Sequence, residues 1–156
     1  MLNFITVNFK IKTPKKFTMR KLLSTKYSAG AFNTAMLLLR LCVGILMMNA
    51  GYKKLINFEK IVNTPPGFMN FLGLGGSTSL ALLVFAELFC SMFLILGLFT
   101  RLAAIPLIIA TCVMVFVAHK GLVFGEAQTA ALFLLSYLVI LLLGPGKVSV
   151  DGMISK

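Results

Sequence analysis

Residues 79–100 read SLALLVFAELFCSMFLILGLFT, an apolar run with a single ionisable side chain, Glu87. A helix needs about 20 mostly apolar residues to cross about 30 Å of hydrocarbon, and this run supplies them. Three further runs approach the same length. They are 34–53, around MLLLRLCVGILMMNAGY; 102–118, LAAIPLIIATCVMVFVA; and 128–144, QTAALFLLSYLVILLLG. Backbone polar groups in hydrocarbon have to be satisfied within the segment, so runs of this kind are helices, whereas barrel strands alternate over about ten residues. The expected architecture is an all-α transmembrane four-helix bundle.

Composition agrees. Of the 156 residues, 59% are hydrophobic and 12% charged. Soluble domains are about half apolar and a quarter charged, so this chain carries more apolar surface than a small soluble core would hide. The lipid bilayer is its expected surrounding. The chain divides into a basic N-terminal tail (1–32), a membrane domain (33–146) and a short C-terminal tail (147–156).

A net charge of +11 raises the question of nucleic acid, and its placement answers it. Lys10, Lys12, Lys15, Lys16, Arg20, Lys21 and Lys26 precede the first apolar run with no acid among them. Such a segment is drawn to anionic head groups and retained on the cytoplasmic side. No nucleic-acid partner is expected. The segment lacks the apolar core and cleavage pattern of a signal peptide. Met19, opening Met-Arg-Lys-Leu-Leu, is an alternative start of translation. With four spans both termini share the side of Arg101, which places N- and C-termini in the cytoplasm of a multi-pass inner-membrane protein. The opposite side carries Lys53, Lys54, Lys60 and Lys120, with Glu59 and Glu126.

Pro65, Pro66, Gly67, Gly73, Gly75 and Gly76 mark residues 56–78 as a loop, and Gly144-Pro145-Gly146 marks a helix stop. Thr100 and Arg101 are expected to form a tight hairpin between spans two and three. Pro106 is expected to kink the third span. Cys42, Cys90 and Cys112 lie in three different runs without CxxC or a His/Cys spacing, so packed thiols are expected and no metal site is.

Two ionisable groups lie within spans, Arg40 and Glu87. Each is costly in hydrocarbon, by at least about 2.5–3.5 kcal/mol at the bilayer centre, and needs a partner inside the bundle. From the helical rise, Arg40 lies roughly 9 Å and Glu87 roughly 20 Å from the inner edge. A direct ion pair is then at the limit of reach, and Asn49, near the depth of Glu87, is the easier partner. Arg40 is also close enough to the inner face to snorkel. A Glu87 carboxyl kept neutral could donate a hydrogen bond to a carbonyl such as a quinone oxygen, or simply glue helices. Toward the outer side Tyr52, Lys53, His119, Glu126, Gln128 and the deeper Tyr137 could complete a pocket with Glu87 and Asn49. Ligand or proton-relay candidates are thus Glu87, Asn49, Arg40, His119 and Tyr137. Gly44 and Gly51 share a face with Arg40 and Met47; Glu87, Cys90, Ser91 and Leu94 share another. These two faces are the expected seam. There is no nucleotide-binding glycine loop, HExxH or nucleophile elbow.

LLLRLCVGILMMNAGYKKL (37–55), AELFCSMFLILGLFTRLAAI (86–105) and GPGKVSVDGMI (144–154) together resemble the DoxX family. The resemblance implies a four-helix bacterial inner-membrane protein. Some members are linked to quinone reduction, and others are membrane partners of oxidative-stress proteins. The matching polar positions are Arg40, Gly51, Lys54, Glu87 and Arg101. Many relatives place a His before the glycine matching Gly51; here that residue is Ala50.

The expected function is a quinone-linked or redox-associated membrane subunit. A quinone is the one cofactor to consider, and electrons come from a redox or other membrane protein partner. The alternatives are a non-catalytic anchor or assembly partner, and a small transporter.

Overall fold

The computed structural model describes residues 28–71, 73–118, 125 and 127–154. His119 and most of the basic tail, with Met19, lie outside them. Among the described residues every regular element is helical.

Helix α1 spans Ala29–Ile56, longer at both ends than the 34–53 run. It starts early because Ser28 caps it, its hydroxyl accepting from the Ala31 N–H at 3.1 Å. Residues 29–32 are therefore helix, not tail. At the far end Lys53 and Lys54 sit in the last turn, where cations complement the helix dipole. A short amphipathic helix, α2 (Phe58–Asn63), follows. Its Phe58 and Ile61 are half-buried while Glu59 and Lys60 are exposed.

The second long helix runs over Gly76–Leu96. It comprises α3 (Gly76–Phe85), a π-helical turn (Ala86–Cys90) and α4 (Ser91–Leu96). Gly97, left-handed at φ 71°, closes it. The Gly97 N–H donates to Leu94 O at 3.2 Å and the Leu98 N–H to Phe93 O at 3.0 Å, the pairing of a Schellman turn. The hairpin accordingly lies at Gly97–Phe99, and Thr100 and Arg101 already belong to α5 (Thr100–Val113). A π-helical turn, Met114–Ala118, extends α5. Pro106 sits inside α5 and leaves the Leu102 carbonyl without its usual helical donor. After it come α6 (Gln128–Leu143) and the short α7 (Val150–Ile154).

Three helices are long and apolar enough to cross a bilayer: Ala29–Ile56, Gly76–Leu96 and Thr100–Ala118. Helix α6 is equally apolar but has 16 residues, roughly 24 Å. All four contribute to one core, with Met36, Val43 and Met47 from α1, Cys90 and Leu94, Ala104 and Leu107 from α5, and Tyr137 and Ile140 from α6. Leu46, Phe85, Leu102, Phe116 and Leu142 point outward, each more than half exposed. Apolar rims around a packed core identify an all-α membrane protein. The cysteines form no disulfide; Cys90 is buried, Cys112 half-buried and Cys42 exposed.

Helix α1 packs on the second helix through its glycines. A Cβ on Gly44 would lie 2.6 Å from Ile95 Cγ1 and 3.3 Å from the Ser91 carbonyl. One on Gly51 would lie 2.8 Å from Glu87 Cβ and 3.1 Å from Leu88 Cγ. Gly51→Ala should therefore lower stability in detergent. Overpacking costs about 1–3 kcal/mol, against a helix-propensity gain of about 0.5–1 kcal/mol. Gly30→Ala, whose new Cβ meets nothing nearer than 4.0 Å, should leave the melting temperature unchanged or slightly raised.

Candidate functional site

Glu87 lies in the π-helical turn and is 1% exposed. A π turn widens the helix by one residue and often marks functional positions. The partner of Glu87 is Lys54, whose Nζ donates to both carboxylate oxygens at 2.5 and 2.7 Å. The Lys54 side chain is 23% exposed, so the pair joins the bundle interior to the end of α1. Gly51, one turn before Lys54, permits the approach. Both Glu87 oxygens face Lys54 Nζ rather than a backbone carbonyl.

The expected Glu87–Asn49 hydrogen bond is not formed. Asn49 is exposed, about 200° around α1 from Gly51. Depth along the helix matched, but azimuth did not. Tyr137 is fully buried, stacks on Phe133 at a centroid distance of 6.1 Å, and lies within reach of the Glu87 charge. Its hydroxyl has no protein partner among the described residues. Of the outer-side group, Tyr52, Lys53 and Gln128 are exposed, while His119 and Glu126 lie outside the described residues.

Arg40 belongs to a different cluster. It is 1% exposed and does not snorkel. Its Nη2 donates to the Val148 carbonyl at 2.6 Å, in the segment after α6. Gly97 makes room for the guanidinium: any side chain there would collide with Arg40 Nη1 and approach Ser149 Cβ to 2.6 Å. Asp151 completes this end. Its carboxylate accepts from the Phe99 and Thr100 N–H groups, each at 2.8 Å, capping the N-terminus of α5, and its own N–H donates to Gly97 O at 2.9 Å. Burial pushes the Asp151 carboxyl up, but the Thr100 and Phe99 hydrogen bonds and the Arg40 charge outweigh it and hold it below its usual range. Arg101 is exposed, with its guanidinium against Gly144.

A cavity of about 340 Å³ opens beside the ion pair, within the size range of small-molecule sites. Leu82, Phe85 and Ala86 wall it on one side, Pro106, Ile109 and Val113 on the other, and Phe68 and Phe71 cover it. Its polar lining residues are Lys54 and Ser79. Ser79 is already engaged, accepting from the Phe71 N–H at 3.0 Å and donating to Gly75 O at 2.7 Å. Lys54 is thus the polar group the cavity offers to a ligand. The sequence reading placed no ligand contact on Lys54 and no role on Asp151. Their signals were present: Lys54 follows Gly51 by one helical turn, and Asp151 is the one acid after span four.

Breaking a buried pair leaves a stranded charge. Lys54→Met should cost about 3 kcal/mol, and the Lys54→Met/Glu87→Leu double variant should regain most of it, read as melting temperatures in detergent. Equal losses in the single and double variants would contradict a buried pair. For Asp151→Asn, which keeps one carbonyl acceptor but loses the second and the charge, the cost should be about 1 kcal/mol at neutral pH. The folded-state value of Asp151 is depressed, so its contribution is complete above the unfolded value near 3.9 and is lost as pH falls through the folded one. The melting gap between wild type and variant should close only at the acid end.

Compared with protein-family models, residues 35–120 match DoxX. No curated protein and no solved structure matches the chain. The matched stretch runs from the first turns of α1 through the π-helical turn to the end of the third long helix, and it contains the Lys54–Glu87 pair, Arg40, Gly51 and Arg101. This chain is a member of the DoxX family.

Proposed function

We propose that the protein is a quinone-linked subunit of the bacterial inner membrane, multi-pass with both termini in the cytoplasm. The observation that carries this reading is the apolar cavity lined by Lys54 of the buried Lys54–Glu87 pair. An apolar slot with one convergent donor fits a quinone ring, which is flat and apolar and accepts hydrogen bonds through its carbonyls. Lys54 would hold a carbonyl oxygen, and Glu87 fixes Lys54 in place. Phe68, Phe71 and Phe85 would exclude water. A bound quinone supplies two-electron, two-proton chemistry, and the electrons come from a protein partner. Helix α6 completes a four-span bundle in this reading, with the positively charged tail setting orientation.

The second reading is a non-catalytic membrane partner. It is favoured by the saturation of Glu87, whose two oxygens both take Lys54. A photoreactive quinone applied to native membranes separates the two. Labelling of peptides within 68–86 or 106–113, competed by unmodified quinone and reduced at least about tenfold by Lys54→Met, the loss of one charged hydrogen bond, is the expected outcome. Labelling that no quinone competes would leave the ion pair as helix glue and favour the partner reading.

A further inference from the structure

The end of α1 and the whole of α2 form a second recess that the ion pair does not explain. Lys53, Lys54, Asn57, Lys60, Ile61 and Thr64 line a shallow groove of about 450 Å³. Lys54 is committed to Glu87, the one ion pair among the described residues. Lys53 and Lys60 are exposed and meet no carboxylate among the described residues. Glu59 is exposed on α2 but does not line the groove. Capping does not occupy these lysines either. Asn57 closes α1 by donating from its side chain to the Lys53 backbone carbonyl at 2.8 Å, a bond that does not involve the Lys53 ammonium.

The groove lies at head-group depth. Helix α1 has 28 residues, roughly 42 Å, which spans the hydrocarbon and reaches the polar boundary. Exposed apolar side chains lie beside the lysines: Leu55 and Ile56 are 49% and 63% exposed, and Tyr52 is 56% exposed, an aromatic of the kind enriched at membrane interfaces. Basic groups over apolar surface at this depth suit a molecule that is anionic at one end and hydrocarbon at the other. The groove and the cavity meet at Lys54. A phosphate held over Lys53 and Lys60 therefore has the open side of the cavity, near Leu82 and Phe85, as the path for its chains.

We propose that this groove is a head-group site for an anionic phospholipid, with phosphate between Lys53 and Lys60 and acyl chains running along the mouth of the cavity. Its head-group contacts are separate from the proposed quinone contact, because Lys53 and Lys60 do not line the cavity.

The test uses the full chain in phosphatidylcholine vesicles containing a trace of photoactivatable phosphatidylglycerol or, in parallel, photoactivatable phosphatidylcholine, with adducts mapped by peptide. The phosphatidylglycerol probe should label residues 53–71 preferentially. Lys53→Gln/Lys60→Gln should remove the preference, which is worth about fivefold for each lysine. Glycerol phosphate should not compete, since it lacks the apolar half. Equal labelling by the two probes, adducts confined to residues 1–27, or a preference unchanged in the double variant would each overturn the proposal. Competition by glycerol phosphate would make this a free-phosphate site and overturn it as well. Quinone labelling of the same variant should be unchanged, so failure of the lipid site and failure of the quinone reading are read separately.

Discussion

A carboxylate surrounded by hydrocarbon has to find a cation, and the distance between two helix backbones decides whether it can. Glu87 is carried by the second helix and Lys54 by the first. They meet because Gly51 lets the backbone of α1 lie against the Glu87 Cβ. The π-helical turn adds to this by re-aiming one residue without ending the helix. Ion pair, cavity position and the register of α1 on the second helix all follow from that contact. With a larger residue at position 51, the helices would separate and the charge would lose its partner.

The other end of the bundle meets the same demand differently. Arg40 is as buried as Glu87, yet the group it bonds is the Val148 carbonyl of the segment after α6, with the Asp151 charge nearby but not in contact. Gly97, needed for the left-handed turn that ends α4, also vacates the volume the guanidinium fills. One glycine therefore serves the hairpin and the charge together. Asp151 acts on two neighbours at once, capping α5 and offsetting Arg40.

The helices were legible because hydrophobic length is a direct consequence of bilayer thickness. So was the seam: the faces carrying Gly44 with Gly51, and Glu87 with Ser91, are the buried ones. The pairing within the seam was not. Estimating depth alone favoured Asn49, which shares a level with Glu87 but faces outward. Ending the first span at residue 53 excluded Lys54, although Asn57 carries the helix past it. The Arg40 cluster was hidden for another reason. Its partner Val148 is 108 residues away, in a tail that hydrophobicity describes only as polar. A long-range backbone contact leaves no periodicity to read.

The location of those partners bears on how the protein is made. Val148 and Asp151 leave the ribosome after every apolar helix has been synthesised, yet they satisfy groups on the first helix and at the start of the third. Until they arrive, the Arg40 guanidinium and the Phe99 and Thr100 N–H groups lack these acceptors. A chain truncated before Val148 would leave all three of these groups without those acceptors.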